Sequence, residues 1–304
     1  MTQILKIRST VFEAAREYFA NKGFIEVHPP MFITAACEGG ATLFKIDYFG
    51  KKAYLTQSAQ FYLEALITSL EKVYCIAPSF RAEKSRTTRH LTEFWHIEAE
   101  EAFSHLDDTM KTQEGLIEHI CHRVAEKHAK ELKELGRDPE YFLNIKTPFP
   151  RISYDKAIDM LQSDGFDIEW GEDFGAEVEK QLTAHFDTPF FVYNYATSAK
   201  AFYHRPDPGD PGHVLCADML APEGHGEIIG GGERIYELDV LLKKIKEEGQ
   251  DLRDYEWYID LRRYGTQPHA GFGLGAARLI RWICGLEHIR DAVAFPRTIN
   301  RVYP

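Results

Sequence analysis

Residues 80–100 read Phe80-Arg-Ala-Glu-Lys-Ser-Arg-Thr-Thr-Arg-His-Leu-Thr-Glu-Phe-Trp-His-Ile-Glu-Ala-Glu100. A strand ends in an arginine, a basic loop follows, and a return strand alternates aromatic and acidic residues. Side chains alternate across a strand with period two, so Phe94, His96 and Glu98 share one face. That sets a flat ring and a carboxylate opposite Arg81 across the hairpin. The set suits a nucleotide pocket, with the ring for a base and the guanidinium for phosphate. The same letters also read as an ordinary charged hairpin, so the surroundings decide.

Upstream, Ile4, Ile7, Val11, Ala14, Ala15, Tyr18 and Phe19 carry helical spacing over residues 3–22, and Asn21-Lys-Gly23 ends the helix. Phe24 to His28 alternates as a short strand, stopped by Pro29-Pro30. Glu38-Gly39-Gly40 is a loop. Leu43–Phe49 and Ala53–Thr56 form a hairpin around Gly50-Lys51-Lys52. Ser58–Leu70 is a helix with Ser58 as its N-cap, and Val73–Phe80 the strand that enters the opening segment. Downstream, Glu93–Glu101 is the return strand and Thr109–Leu135 a long helix. Residues 137–213 are mixed and rich in Pro, Gly and Asp, and their elements cannot be ordered. Val214–Leu220 and Glu227–Ile229 read as strands, Leu238–Glu248 as a helix, and Gly271–Gly275 as a strand leading into helix Ala276–Cys284. Hairpin-joined strands with segregated helices predict an α+β fold on an antiparallel sheet. The expectation is a single domain over 1–304, with 137–213 as an inserted region.

The 304 residues, 44% hydrophobic, are enough for one large core. A net charge of -11 argues against non-specific nucleic-acid binding, which rests on Lys and Arg neutralising phosphates. Cys37, Cys75, Cys121, Cys216 and Cys284 are scattered and never form a C-x-x-C pair, which points to reduced thiols in a cytoplasmic protein. His119, Cys121, His122 and His128 crowd one segment, but no second ligand pair stands out, and they read better as polar positions on a surface helix. No apolar run approaches the roughly 20 residues that span a bilayer, so no membrane partner is expected.

Two further segments carry chemistry. In Cys216-Ala-Asp-Met-Leu-Ala-Pro-Glu-Gly-His-Gly-Glu-Ile-Ile-Gly-Gly-Gly-Glu-Arg234, Asp218 and Glu227 flank a turn, and a hairpin brings the two carboxylates together. Paired carboxylates suit Mg²⁺ with phosphate as co-ligand. The triplet at Gly231 lets a substrate approach the backbone, and Arg234 offers a planar fork. The segment also reads as a glycine-rich bulge with two solvated acids. In Gly271-Phe-Gly-Leu-Gly-Ala-Ala-Arg278, alternating glycines predict a strand packed against something flat, with Arg278 in the first turn of the helix that follows. It is not a dinucleotide fingerprint, since no G-x-G-x-x-G and no βαβ unit is present.

In order and spacing these three segments resemble motif 2, the metal-binding strands and motif 3 of class II aminoacyl-tRNA synthetases. Gly23-Phe-Ile-Glu-Val-His-Pro-Pro30 resembles motif 1, which builds that family's dimer interface. Ala36-Cys-Glu-Gly-Gly-Ala-Thr-Leu-Phe44, Leu55-Thr-Gln-Ser-Ala-Gln-Phe-Tyr-Leu-Glu64 and Arg89-His-Leu-Thr-Glu-Phe94 are similar to the asparaginyl branch. The resemblance runs from about residue 4 to Phe295-Pro-Arg-Thr298. It implies a six-stranded antiparallel sheet flanked by helices, a homodimer through the motif around Pro30, and an ATP- and Mg²⁺-dependent ligase that activates asparagine to an aminoacyl adenylate.

The resemblance also implies roles. Arg81 and Arg278 are the catalytic cations, Arg81 on the α-phosphate and Arg278 on the outer phosphates with His90; Glu83 and Phe94 hold adenine, and Arg89 belongs to the same ATP set. Asp218 and Glu227 hold Mg²⁺. Glu38 and Gln60 receive the α-ammonium group, and Glu98 and Arg234 read the side chain beside Gly231. Aspartate-specific relatives carry lysine where this chain has Leu63, and a leucine cannot pair with a β-carboxylate, which favours asparagine over aspartate. The chain departs from the family in three places. It begins almost at motif 1, without the anticodon-reading OB domain; Ala277 replaces an acid before the motif 3 arginine; Ala196 replaces a frequent proline. The missing domain leaves two acceptors open: tRNA, or ammonia or a peptide in a stand-alone paralogue.

Overall fold

In the computed structural model, which describes residues 1–37, 42–84 and 87–304, the apolar stripe of the first helix α1 (Thr2–Asn21) is buried from Ile4 to Phe19 as its spacing predicts. Gly23, at φ 78°, turns the chain out of it into β1 (Ile25–Glu26). β2 (Phe32–Ile33), β3 (Lys45–Tyr48) and β4 (Lys51–Leu55) make a small separate sheet in the order β2-β4-β3. Then come α2 (Gln60–Leu70), β5 (Lys72–Phe80) and β6 (Glu93–Ala102), followed by the long helix α3 (Leu106–Glu134).

The unordered stretch resolves into α4 (Pro139–Leu143), β7 (Arg151–Ser153), α5 (Tyr154–Ser163), α6 (Ala176–Thr183) and β8 (Phe190–Tyr193). β9 (Cys216–Ala221), β10 (Gly226–Glu233), α7 (Leu238–Glu247), α8 (Glu256–Arg263), β11 (His269–Gly275) and α9 (Ala276–Ile283) complete the chain.

Among the described residues the main sheet has eight strands, in the order β1-β5-β6-β11-β10-β9-β8-β7, where six were expected. The central six, β5 to β8, are antiparallel; β1 and β7 add to the edges in parallel. The extra strands are two and three residues long, too short to carry a period. α2 starts at Gln60 with Ala59 as N-cap, not Ser58. The Ser58 hydroxyl still makes the bond of a cap, accepting from the Gln60 N–H at 3.1 Å, and it donates to the carboxylate of Glu98.

The sheet has two unlike faces. On one, Tyr74, Ile76, Ile97, Ala99, Ala217, Met219, Phe272 and Leu274 meet α1, α3 and α9 in the largest core. Each large side chain fully buried there is worth roughly 1.5–3 kcal/mol. The histidines and cysteine expected on a surface helix fall on this packed side. Cys121 is fully buried, while His122 Nε2 meets the Ile145 carbonyl at 2.8 Å and His128 Nε2 meets Thr10 Oγ1 at 2.8 Å. They diverge to separate partners, and no cluster of three or more metal-ligating side chains occurs among the described residues. All five cysteines are free. No described helix is long and apolar enough to cross a membrane.

The other face is bare in its middle. Gly271, Gly273 and Gly275 of β11 lie opposite Glu100, Glu98 and His96 of β6, and Gly273 and Gly271 lie opposite Gly230 and Gly232 of β10. Directly paired residues point to the same side. Two adjacent strands therefore present only backbone. A Cβ on Gly271 would sit 2.1 Å from Glu100 Cδ and 2.4 Å from the Ala99 carbonyl, whereas one on Gly273 meets nothing nearer than 3.7 Å.

These two glycines separate packing from function. Gly271→Ala should cost about 1–3 kcal/mol in urea unfolding, the usual penalty for overpacking. Gly273→Ala should change stability by no more than about 0.5 kcal/mol while narrowing the space above the sheet.

Candidate active site

Above the bare strands lies a cavity of about 370 Å³. β6 supplies Phe94, His96, Glu98 and Glu100 from its inward face, as period two requires. At one end the Arg81 guanidinium carbon lies 5.5 Å from the centre of the Phe94 ring, and His96 meets that ring edge-on at 4.8 Å. Burial, then Arg81 and Arg278, hold the His96 imidazole down to about 3, so it is neutral; its Nδ1 is 3.1 Å from Ser79 Oγ. Glu83 and His90 reach the same end, 4.0 Å apart, and His90 Nδ1 meets Thr87 Oγ1 at 2.5 Å. Burial and Arg278 lower the His90 pKa.

In the middle, the carboxylates of Asp218 and Glu227 converge over Gly230. An oxygen of each lies 3.3 and 3.4 Å from the point where a Cβ would stand on that glycine. Arg278, from the first turn of α9, bonds Glu227 Oε2 at 2.8 Å and the Glu227 carbonyl at 3.2 Å. Burial pushes the Glu227 carboxyl up, but Arg278, with Lys200 and Arg89, holds it at about 2. Asp218 receives Lys200 Nζ at 2.6 Å, yet burial and the nearby Glu227 push its carboxyl up to about 7. Lys200 also reaches Asp173 at 3.2 Å and lies 4.0 Å from the Tyr195 ring centre. The two converging carboxylates supply oxygen ligands of the kind that hard divalent cations take, and no third such ligand joins them among the described residues.

At the far end stand Gln60, Glu98, Glu100 and Arg234. Here the geometry adds a partner that the sequence did not name. Arg234 pairs with Glu100, not Glu98, through Nη2 at 2.6 Å and Nε at 3.1 Å, and both are almost fully buried. Burial pushes the Glu100 carboxyl up to about 7 against the pull of Arg234, with Glu64 adding to the rise. Glu98 instead turns to the start of α2, accepting from Ser58 Oγ and from the Ala59 N–H at 2.9 Å. The alternation that placed Phe94, His96 and Glu98 on one face also places Glu100 there, so the signal was present two residues further on.

Of Arg89, Leu63 and Gly231, Leu63 departs from its expectation. Arg89 borders the cavity, but both its terminal nitrogens are held by Glu179, at 2.7 and 2.9 Å. Glu179 also accepts the Glu227 N–H at 2.6 Å, so Arg89 braces the Glu227 strand from outside. Leu63 does not line the cavity. It is fully buried in a small apolar cluster with Ala59, Ile67, Val73, Cys75 and Ala102, behind the wall that carries Glu98. Gly231 contributes backbone only, since its Cβ would point to the core face, 2.6 Å from Phe272 Cβ. Ala277 is buried beside Arg278. Glu38 lies outside the described residues. Lys200, Asp173 and Glu179 went unnoticed because they come from the stretch whose elements could not be ordered.

The family model for class II tRNA synthetases (D, K and N) matches residues 1–299. The chain is 56% identical over 304 residues to the asparagine–tRNA ligase of Pyrococcus abyssi, covering all of this chain and 70% of that protein. It superposes with a TM-score of 0.98 and 56% identity on the crystal structure of asparaginyl-tRNA synthetase from Pyrococcus horikoshii complexed with asparaginyl-adenylate, covering 100% of this chain and 70% of that one. The Entamoeba histolytica asparaginyl-tRNA synthetase in complex with asparaginyl-adenylate gives a TM-score of 0.92 at 38% identity, with 100% and 68% covered.

The Arg234–Glu100 pair sets up a double-mutant cycle. Arg234→Met should destabilise the fold by about 3–5 kcal/mol, because a buried carboxylate loses its partner. Adding Glu100→Gln should restore most of that loss in urea unfolding, since no charge is then stranded.

Proposed function

Since the chain belongs to the class II tRNA synthetases of the D, K and N group, we propose that it activates asparagine with ATP to asparaginyl-adenylate, for transfer to tRNA. The observation that carries this is one glycine-floored cavity holding, in line, a ring with Arg81, a carboxylate pair with Arg278, and a buried arginine paired with a glutamate. The last feature bears on substrate choice. With Glu100 on Arg234, the far end offers no uncompensated cation to a β-carboxylate among the described residues, and a neutral carboxamide, which both donates and accepts, is the better match.

The reaction asks for positioning and charge stabilisation rather than acid–base chemistry. The asparagine carboxylate attacks the α-phosphorus of ATP, the bond to the bridging oxygen breaks, and pyrophosphate leaves. In this reading Phe94 stacks on adenine with Glu83 as hydrogen-bond acceptor. Arg81 meets the α-phosphate and the activated carboxylate, and Arg278 and His90 meet the outer phosphates. The α-ammonium group goes to Gln60, with Glu38 as second acceptor, and Glu98 closes the wall behind it. Asp218 and Glu227 would hold Mg²⁺, which when bound neutralises phosphate charge. Lys200, already on Asp218, keeps that carboxylate oriented. The reading also takes the chain as a homodimer in the cytoplasm. Ile25, Met31 and Phe32, exposed on either side of Pro30, are the apolar side chains such an interface would cover.

Asparagine-dependent exchange of pyrophosphate into ATP is the direct test. Exchange should require a divalent cation, stop with chelator, and be far weaker with aspartate. Arg81→Ala should lower it by about 10²–10³-fold, the scale for one preorganised charge donor, with unchanged thermal unfolding. Exchange equal to wild type in that variant would remove Arg81 from its role. Sedimentation should show a species of twice the 34.9 kDa chain mass.

A further inference from the structure

Glu64 does not border the cavity, yet it is a heavily hydrogen-bonded carboxylate beside it. It lies on α2 one helical turn after Gln60 and is fully buried. Its Oε1 accepts from Gln60 Nε2 at 2.9 Å and from the Tyr258 hydroxyl at 2.9 Å. Its Oε2 meets Arg262 Nη2 at 2.5 Å and His269 Nε2 at 2.9 Å. Arg262 is itself fixed by its Nε on the Ile235 carbonyl at 2.9 Å. Burial works against the charge of Glu64, but Arg262 and His269 outweigh it and hold the carboxyl well below the usual range.

A glutamine amide has two unlike ends of nearly equal size, and its neighbours decide which way it points. An ionised carboxylate only accepts, so the end of Gln60 that faces Glu64 must be the NH₂ group. The other end, Oε1, is then left for the cavity that Gln60 lines; the thiol of Cys37, a weak donor, stands 4.0 Å from it. An α-ammonium group only donates. It is attracted by that oxygen and would be repelled by the reversed amide.

We infer that Glu64 is a positioning residue for the asparagine α-ammonium group: it locks the Gln60 amide with its oxygen toward the substrate. The inference rests on the proposed function in taking Gln60 as the ammonium acceptor. Tyr258, Arg262 and His269 also bond Glu64, so these three side chains act on the amino-acid end without lining the cavity.

The test replaces charge with the same shape. In Glu64→Gln the new amide turns its NH₂ to Gln60 and lets the Gln60 amide reverse. The KM for asparagine in pyrophosphate exchange should rise at least about tenfold, the scale of one charge-assisted hydrogen bond, with kcat nearly unchanged. The inhibition constant of 3-carbamoylpropanoate, which is asparagine without its amino group, should not move. Equal weakening of both ligands, or of neither, overturns the inference.

A second measurement needs neither turnover nor the variant. With glutamine amides labelled with ¹⁵N, the Gln60 signal, identified by its loss in Gln60→Asn, should exchange with solvent at least about tenfold more slowly than a free amide. Exchange at the free rate in the wild-type protein overturns the inference even where Glu64→Gln fails to fold. A wild-type chain without asparagine-dependent exchange but with a protected Gln60 amide would instead count against the proposed function alone.

Discussion

Two neighbouring strands that carry no side chains on one face are what the cavity stands on. Because Gly271 has no Cβ, Glu100 lies flat across β11 and reaches Arg234. Because Gly230 has none, Asp218 and Glu227 lean in from two strands over the same point. Glycine in a strand normally costs stability, since it loses backbone entropy and packs nothing. Here the opposite face compensates: Phe272, Leu274 and Ile229 alternate with those glycines and bury their side chains in the main core. Period two thus lets one strand serve as core on one side and as a smooth floor on the other.

The charges above that floor are arranged so that few stand alone. Glu100 with Arg234 and Glu64 with Arg262 form two buried pairs, and Glu227 with Arg278 and Asp218 with Lys200 form two more toward the cavity. A buried ion pair adds little net stability compared with apolar packing, so stability is a poor reason for this many. What the pairs do provide is orientation. Each side chain is held by a partner on a different element, and donors fixed before reaction need no reorganisation during it.

Much of this was legible from residue order. Alternation placed Phe94, His96 and Glu98 on a common face, the glycine run in β11 implied a close approach, and Arg278 fell in the first turn of α9 as read. What the sequence left open shares a physical cause. Which carboxylate meets Arg234, which acid takes Arg89, and whether Leu63 faces cavity or core depend on register between strands and on the rotation of α2 about its axis. Those are settled by contacts between residues far apart in sequence, which local periodicity does not encode. Lys200, Asp173 and Glu179 were hidden for another reason. They sit on short elements and loops between residues 137 and 213; α5 there does carry helical spacing, with Tyr154, Ala157, Ile158 and Leu161 buried, but Asp173, Glu179 and Lys200 lie outside it.

The Glu64 network has a consequence for how the chain is made. The partners of Glu64 stand 198 and 205 residues further along, at Arg262 and His269. During synthesis the N-terminal half emerges first, and α2 leaves the ribosome long before either cation exists. A carboxylate meant for full burial stays costly to bury until they arrive, so α2 keeps its inner face in water through most of translation. Long-range closure of this kind is slow. The amino-acid end of the cavity is therefore among the last parts of the molecule to form, since Gln60 is held through a carboxylate whose cations stand 198 and 205 residues away.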